Sequence, residues 1–309
     1  MTQLVAVVGP TATGKSALGV ALARQLGGEV VNADSMQLYR GMDIGTAKLG
    51  ESERDGVRHH LLDIWDVTRT ASVADYQQQA RAKIDELIGR GITPVLVGGS
   101  GLYVRAVIDP IDFPGTDEAI RGALEAELVA GGPEALHRKL AAADPVTAAA
   151  LSPLNGRKIV RALEVIAITG RPFTAALPSY DEAAYDTVQI GLDLDTAVLD
   201  DRLERRVDVM IEAGFEDEVR RLDAQGLRQG VTASRALGYA QLLAVIDGGI
   251  GLAAARADTI RATRRFVRRQ RSWFRRDPRI TWLDAATDPL TVALKMITTG
   301  HTATAATAR

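Results

Sequence analysis

Cysteine is absent from the 309 residues. Disulfide scaffolds, thiolate metal sites and cysteine nucleophiles are thereby excluded, which fits a reducing compartment. No apolar run approaches the roughly 20 residues that cross a bilayer. The start carries neither the basic n-region nor the apolar core of a signal peptide, so a cytoplasmic protein with no membrane partner is expected. An excess of either charge is also missing: 37 Lys and Arg stand against 39 Asp and Glu, a net charge of −2, which argues against general affinity for nucleic acid. No internal repeat occurs, and low complexity is confined to the Ala/Thr-rich tail after Thr298, expected to be disordered. His59 and His60 are adjacent, without metal-ligand spacing, and read as structural. A hydrophobic run closing on Asp, the Walker B pattern of ATPases, is missing as well, since Val95-Leu96-Val97 runs into Gly98.

What is present begins at residue 9. Gly9-Pro10-Thr11-Ala12-Thr13-Gly14-Lys15-Ser16 follows the apolar run Leu4 to Val8 and precedes a helical stretch, Ala17 to Leu26. Strand, glycine loop and helix in that order form a phosphate-binding loop. Small residues let backbone N–H groups close around phosphate oxygens, and the helix N-terminus directs its dipole at them. Lys15 reaches the terminal phosphates and Ser16 holds Mg²⁺ in such a loop. The loop leaves open whether the phosphate belongs to ATP, GTP or another diphosphate.

Strands and helices alternate through the first third of the chain. Glu29 to Asn32 and His60 to Ile64 read as strands, Ser72 with Asp75 as the start of a helix through Ile88, and Thr93 to Val97 as a buried strand closed by Gly98-Gly99-Ser100-Gly101. The pattern predicts an α/β fold: a P-loop NTPase-like parallel sheet flanked by helices, with ligands at the carboxyl ends of the strands. Asp34, Ser100 and the phosphate loop are then expected around one crevice. From about Pro114 to Asp186 only helical periodicity remains: Asp117 opens a helix that Gly131-Gly132-Pro133 ends, and others follow at 134–142 and 157–169. Thr187 to Leu192 restores a strand. The expected organisation is a core of 1–113 plus 187–298, a mostly helical insertion at 114–186, and a disordered tail at 299–309.

Charge is unevenly placed. Nine arginines lie between Arg261 and Arg279 against one acid, Asp277. At roughly 100° per residue, Arg264, Arg268, Arg271 and the others through Arg276 share one half of a helix, with Ala262, Phe266, Val267, Trp273 and Phe274 on the other. Either this is a solvated surface, or it meets a nucleic-acid phosphate backbone. Arg157, Lys158 and Arg161 add a second basic face on the insertion.

These features together resemble one family, the bacterial tRNA dimethylallyltransferases or tRNA isopentenyltransferases. The resemblance rests on the loop at 9–16, on Asn-Ala-Asp-Ser-Met-Gln-Leu-Tyr-Arg-Gly-Met-Asp-Ile-Gly-Thr-Ala-Lys at 32–48 and on Gly-Gly-Ser-Gly-Leu-Tyr at 98–103. Asn-Gly-Arg-Lys-Ile-Val-Arg-Ala-Leu-Glu-Val at 155–165 and Ser-Arg-Ala-Leu-Gly-Tyr at 234–239 match as well. It implies transfer of a dimethylallyl group from dimethylallyl diphosphate to N6 of adenine 37, beside the anticodon of tRNAs that read codons beginning with U. By resemblance, Asp34 is the general base; a magnesium-holding or capping Asp is the alternative. Gly9 to Ser16 and Arg235 hold the diphosphate, although Arg235 could instead pair with an acid at a domain seam. Asp34, Ser35, Met36, Gln37 and Ser100 line the adenine site, and Arg121, Gly156, Arg157, Lys158, Ile159 and Val160 approach the tRNA anticodon stem-loop from the insertion. Mg²⁺ is the implied cofactor and a monomer the expected state. A nucleotide kinase, an adenylate isopentenyltransferase and a non-catalytic RNA-binding protein are the competing classes. None of the three needs the loop, Asp34 and the basic faces together.

Overall fold

The computed structural model describes residues 3–173 and 178–306. Its contacts divide the chain into a larger unit, Met1–Asp109 with Ala183–Arg309, and a smaller one, Pro110–Glu182. The larger unit starts with β1 (Leu4–Val8), α1 (Lys15–Leu26), β2 (Glu29–Asn32), β3 (His59–His60), α2 (Val73–Gly89), β4 (Pro94–Val97) and α3 (Gly101–Ile108). The smaller unit holds α4 (Glu118–Ala143), α5 (Pro145–Ala150) and α6 (Gly156–Thr169). The chain then resumes with β5 (Thr187–Asp193), α7 (Thr196–Glu212), α8 (Phe215–Ala224), α9 (Tyr239–Ile246), α10 (Leu252–Phe274), β6 (Ile280–Asp284) and α11 (Pro289–Ala306).

The strands form one parallel sheet in the order β3-β2-β4-β1-β5-β6. Both faces are covered: Leu4, Ala6 and Val8 enter one apolar cluster, Val5 and Val7 the other. Two-sided burial is why the central strands are continuous apolar runs without alternation. Each such Leu or Val contributes about 1.5–3 kcal/mol. The carboxyl ends of β1, β2 and β4 deliver, respectively, the phosphate loop, Asn32 to Asp34, and Gly98 to Ser100.

Three elements differ from the sequence expectation. The strand expected over His60 to Ile64 stops at His60, because Leu61 and Asp63 take left-handed φ values of 60° and 57°. Asp63 instead accepts a hydrogen bond from the buried Lys48 Nζ at 2.5 Å. The strand β6, not among the expected strands, pairs with β5 at the sheet edge with only Ile280 of its five residues buried. The tail expected to be disordered from 299 is helical through Ala306, continuing α11, whose Ala293 and Ile297 are anchored in the core. Alanine is the strongest helix former, so the Ala/Thr stretch extends that anchored helix. Residues 307–309 lie outside the described residues.

In the smaller unit, Asp117 caps α4 by accepting from the N–H groups of Ala119 and Ile120 at 2.9 and 3.0 Å. Gly132, at φ 75° and ψ 169°, breaks α4 where Gly131-Gly132-Pro133 predicts a stop. Leu124, Leu136, Leu140, Ile159 and Leu163 make the core of the unit.

Candidate active site and cationic helix face

The phosphate loop is held by its own side chains. Thr13 Oγ1 and Lys15 Nζ both donate to the Pro10 carbonyl, at 2.9 and 2.6 Å. Gly9, at φ 130°, passes so close to Leu192 that a Cβ would strike its carbonyl oxygen. Ala12 and Gly14 take left-handed φ values of 66° and 91°, the turn of backbone handedness that makes a concave anion nest. Burial lowers the Lys15 ammonium to about 7, against the opposing charge of Asp34 and with the repulsion of Arg206 added.

Asp34 stands just beyond β2. Its N–H donates to Asn32 Oδ1 at 2.9 Å, and its Oδ1 accepts from the Met36 N–H at 2.9 Å, which leaves the other carboxylate oxygen without a hydrogen bond among the described residues, on a residue that lines both cavities. Asn32 also donates to the carbonyls of Asp34 and Leu61 at 3.1 and 3.0 Å, so this turn is bonded on both sides. Ser100 Oγ accepts from the Ser35 N–H at 3.0 Å and donates to Ser35 Oγ at 3.1 Å, tying the loop after β4 to the residue beside Asp34.

Two cavities meet at this point. The smaller, about 230 Å³, is lined by Gly14, Lys15, Ser16, Asn32, Gln37 and His59 among others. The larger, about 320 Å³, has Ser35, Met36, Ser100 and Arg235 on its wall, with an apolar side of Leu203, Val207, Met210, Phe215 and Phe266. Thr11, Asp34, Thr46 and Arg206 belong to both. Asp34, Ser100 and the phosphate loop therefore share one crevice. His60 is structural in the sense expected, pairing with Glu29 at 2.5 Å, whereas His59 reaches the smaller cavity wall.

Four residues of this region, Arg206, Gln270, Glu218 and Tyr239, escape sequence reading. Arg206, on α7, presents its guanidinium to both cavities; burial lowers its pKa while the Asp34 charge opposes that shift. Arg235, which the resemblance puts on the diphosphate, lines only the larger cavity and not the one with Lys15 and Ser16, and among the described residues it has no acidic partner, so the seam pairing is not formed. Gln270, buried on α10, accepts from the Thr11 N–H at 3.0 Å and donates to the Gly99 carbonyl at 2.8 Å. Of the backbone N–H groups of the loop expected to close around phosphate, that of Thr11 is therefore already engaged by Gln270. Glu218, 1 % exposed, accepts from the N–H groups of Asp43, Ile44 and Gly45 and from the Tyr239 hydroxyl at 2.6 Å, and so holds the loop that carries Thr46. Along their own helices these four are only an arginine, a glutamine, a glutamate and a tyrosine, since every partner that gives them a role lies on another segment.

The basic helix is α10, and its arginines divide into two sets. Arg264 lies 3.4 Å from both Asp200 and Glu204, and Arg271 2.8 Å from Asp193. Burial tends to raise the Asp193 pKa, but hydrogen bonds from Arg275 and Arg271 hold it below the ordinary carboxylate range. Expecting Arg264 and Arg271 on an RNA face overlooks these acids, which belong to α7 and β5 and are invisible within the helix itself. Arg265, Arg268, Arg269 and Arg276 are exposed, form no ion pair among the described residues, and line an open groove with Ser272 and Trp273.

In the smaller unit, Arg157 and Lys158 are exposed in the first turn of α6, which Asn155 caps through the Lys158 N–H at 3.3 Å. Gly156 approaches Leu128 closely. Ile159 and Val160 are 0 % and 5 % exposed in the unit's core and cannot present side chains to RNA. They are the apolar face of an amphipathic helix, a role that motif matching does not separate from contact. Arg121 pairs with Glu164 at 2.8 Å, alongside Arg161 at 2.9 Å. Burial would raise the Glu164 pKa, yet the two guanidiniums keep it lowered.

The model of the IPP transferase family matches residues 37–277, most of the chain. The chain belongs to the IPP transferase family. It is 66 % identical over 281 residues to a protein of Streptomyces coelicolor named tRNA dimethylallyltransferase, covering 91 % of this chain and 90 % of that one. Among solved structures, the full-length tRNA isopentenylpyrophosphate transferase of Bacillus halodurans is similar with a TM-score of 0.70 and 43 % identity, over 96 % of this chain and 94 % of that one. A eukaryotic dimethylallyltransferase acting on tRNA is similar with a TM-score of 0.80 and 25 % identity, over 93 % of this chain and 75 % of that chain. The family's P-loop-like parallel sheet is the one found here. No helix among the described residues is long and apolar enough to cross a membrane.

Proposed function

We propose that this chain transfers the dimethylallyl group of dimethylallyl diphosphate to N6 of adenine 37 in a tRNA anticodon stem-loop, releasing diphosphate. The observation that carries this reading is the pair of cavities with Asp34 and Arg206 on their common wall. One contains the phosphate loop, and the other has the apolar side that suits a base and an alkyl group. The family membership supports it.

An adenine amino group is a weak nucleophile, because its lone pair is delocalised into the ring. The free Asp34 carboxylate oxygen takes a proton from N6 as the N–C1 bond forms. The C1–O bond breaks, and its electron pair leaves on the diphosphate. Lys15, Arg206 and the amides of Ala12 to Ser16 stabilise that growing charge, and in place before the reaction they need no reorganisation. Arg235, in the larger cavity, serves the base or its phosphate. Ser35, Met36, Gln37 and Ser100 shape the adenine site.

Magnesium fits the donor set. Ser16 offers one hydroxyl at the phosphate end, and no group of three His, Asp or Glu among the described residues forms a protein cage. Ser16 would hold the ion at the phosphate end of the smaller cavity. When bound, it neutralises diphosphate charge. Arg157, Lys158, Arg121 and the unpaired arginines of α10 contact the stem-loop backbone.

The test is incubation with labelled dimethylallyl diphosphate and either an anticodon stem-loop or AMP. Label is expected in the stem-loop alone, and Asp34→Ala is expected to lower turnover by at least about 100-fold with stem-loop affinity retained. Label in AMP would favour an adenylate isopentenyltransferase. Near-normal turnover of Asp34→Ala would remove Asp34 as the base.

A further inference from the structure

Gln270 sits in the most basic stretch of the chain, between Arg269 and Arg271, yet it is buried. A buried amide is unfavourable unless both its ends are bonded. Here both are, and to two different loops: Oε1 to the Thr11 N–H of the phosphate loop, Nε2 to the Gly99 carbonyl after β4. Thr11 and Gly99 lie on the wall of the smaller cavity. The glycines of the second loop are shaped to the same helix. A Cβ at Gly99 would collide with Gln270 Nε2, and a Cβ at Gly101 with the ring of Trp273, one turn further along α10. Ser100, between them, holds Ser35 beside Asp34.

We propose that Gln270 is a positioning residue that sets the width of the donor diphosphate cavity by bridging the phosphate loop and the Gly98 to Gly101 loop. The proposal rests on the reading that the smaller cavity receives that diphosphate. Gln270 touches no substrate. It withdraws the Thr11 amide from the anion cradle and directs the phosphate oxygens to the amides from Ala12 onward. Without it, the part-buried Thr11 N–H and the buried Gly99 carbonyl lose their partners and the loops separate. A shift on the order of 1 Å is enough to weaken a preorganised site.

The full-length protein is tested with two variants. Gln270→Met removes both hydrogen bonds at similar volume, and Gly99→Ala leaves the glutamine in place while displacing its amide. Pyrophosphate affinity is measured by calorimetry, and KM separately for dimethylallyl diphosphate and for the stem-loop. In both variants pyrophosphate Kd and donor KM are expected to rise about tenfold, with stem-loop KM unchanged. Unchanged pyrophosphate affinity and donor KM would overturn the proposal. So would a parallel loss in donor and RNA parameters that tracks a smaller folded fraction, the signature of a merely structural role. If Gln270→Met does not fold, Gly99→Ala decides alone. The two readings fail separately: a wild-type protein that transfers no dimethylallyl group but whose variants lose pyrophosphate affinity sinks only the proposed function. Normal transfer by wild type and variants alike sinks only the role of Gln270.

Discussion

At Lys15, burial and charge are in conflict. Its pKa falls from 10.5 to about 7. Between those values the unfolded chain binds the extra proton, so Lys15 makes stability rise with pH from about 7 to 10.5, and its penalty is complete below 7. A bound diphosphate favours the ammonium form. Binding above pH 7 must therefore take up a proton, and affinity should fall as pH climbs from 7 towards 9. Calorimetry of pyrophosphate binding in buffers of different ionisation enthalpy checks this, with Lys15→Met as reference so that the ionisation of the ligand cancels. At pH 8 the wild type is expected to take up about one proton more than the variant; equal uptake would mean that Lys15 is already charged when free. The residue scale is also where the sequence speaks most clearly. Lys15, Ser16 and Asp34 are legible because strand, loop and helix are local. Arg206 and Gln270 are not, because their partners lie far along the chain.

Among the elements, α10 shows how a correct pattern yields a partly wrong face. Its arginine half is real, but α7 and β5 bring Asp200, Glu204 and Asp193 against it. Arg264 and Arg271 become cross-links of the fold, and the unpaired charge moves to Arg265, Arg268, Arg269 and Arg276. Replacing Arg265, Arg268 and Arg269 by Gln is expected to weaken stem-loop binding and to flatten the slope of log K against log salt by about 0.7 per lost phosphate contact. Arg271→Gln should instead lower Tm and leave the slope alone. Filter binding across a salt series distinguishes the two, and a slope that follows Arg271 would return that residue to the RNA face. The same lesson applies to α6, whose Arg157 and Lys158 are exposed while Ile159 and Val160, next in the same motif, are core.

At the scale of the whole molecule, the two units differ in how they are joined to the chain. The Ala184 N–H donates to the Ile108 carbonyl at 2.6 Å, so the larger unit closes across the point where the smaller one enters and leaves. Replacing residues 110–182 by a short Gly/Ser linker should leave a cooperatively unfolding core whose Tm still rises with pyrophosphate and Mg²⁺, but which transfers nothing to a stem-loop. Scanning calorimetry decides it; loss of cooperative unfolding would show that the larger unit cannot fold alone.

The sequence by itself determined the phosphate loop, the parallel sheet, the helical insertion and Asp34 at a strand terminus. Each follows from local spacing, from apolar periodicity or from a motif contained within a few turns of chain. Tertiary structure alone decided which arginines remain free, that Arg206 stands between two cavities, and that Gln270 bridges two loops. Those outcomes depend on groups brought together across the sheet and between helices. Pairing, burial and hydrogen-bond satisfaction are properties of neighbours in space, which the order of residues along α10 does not contain.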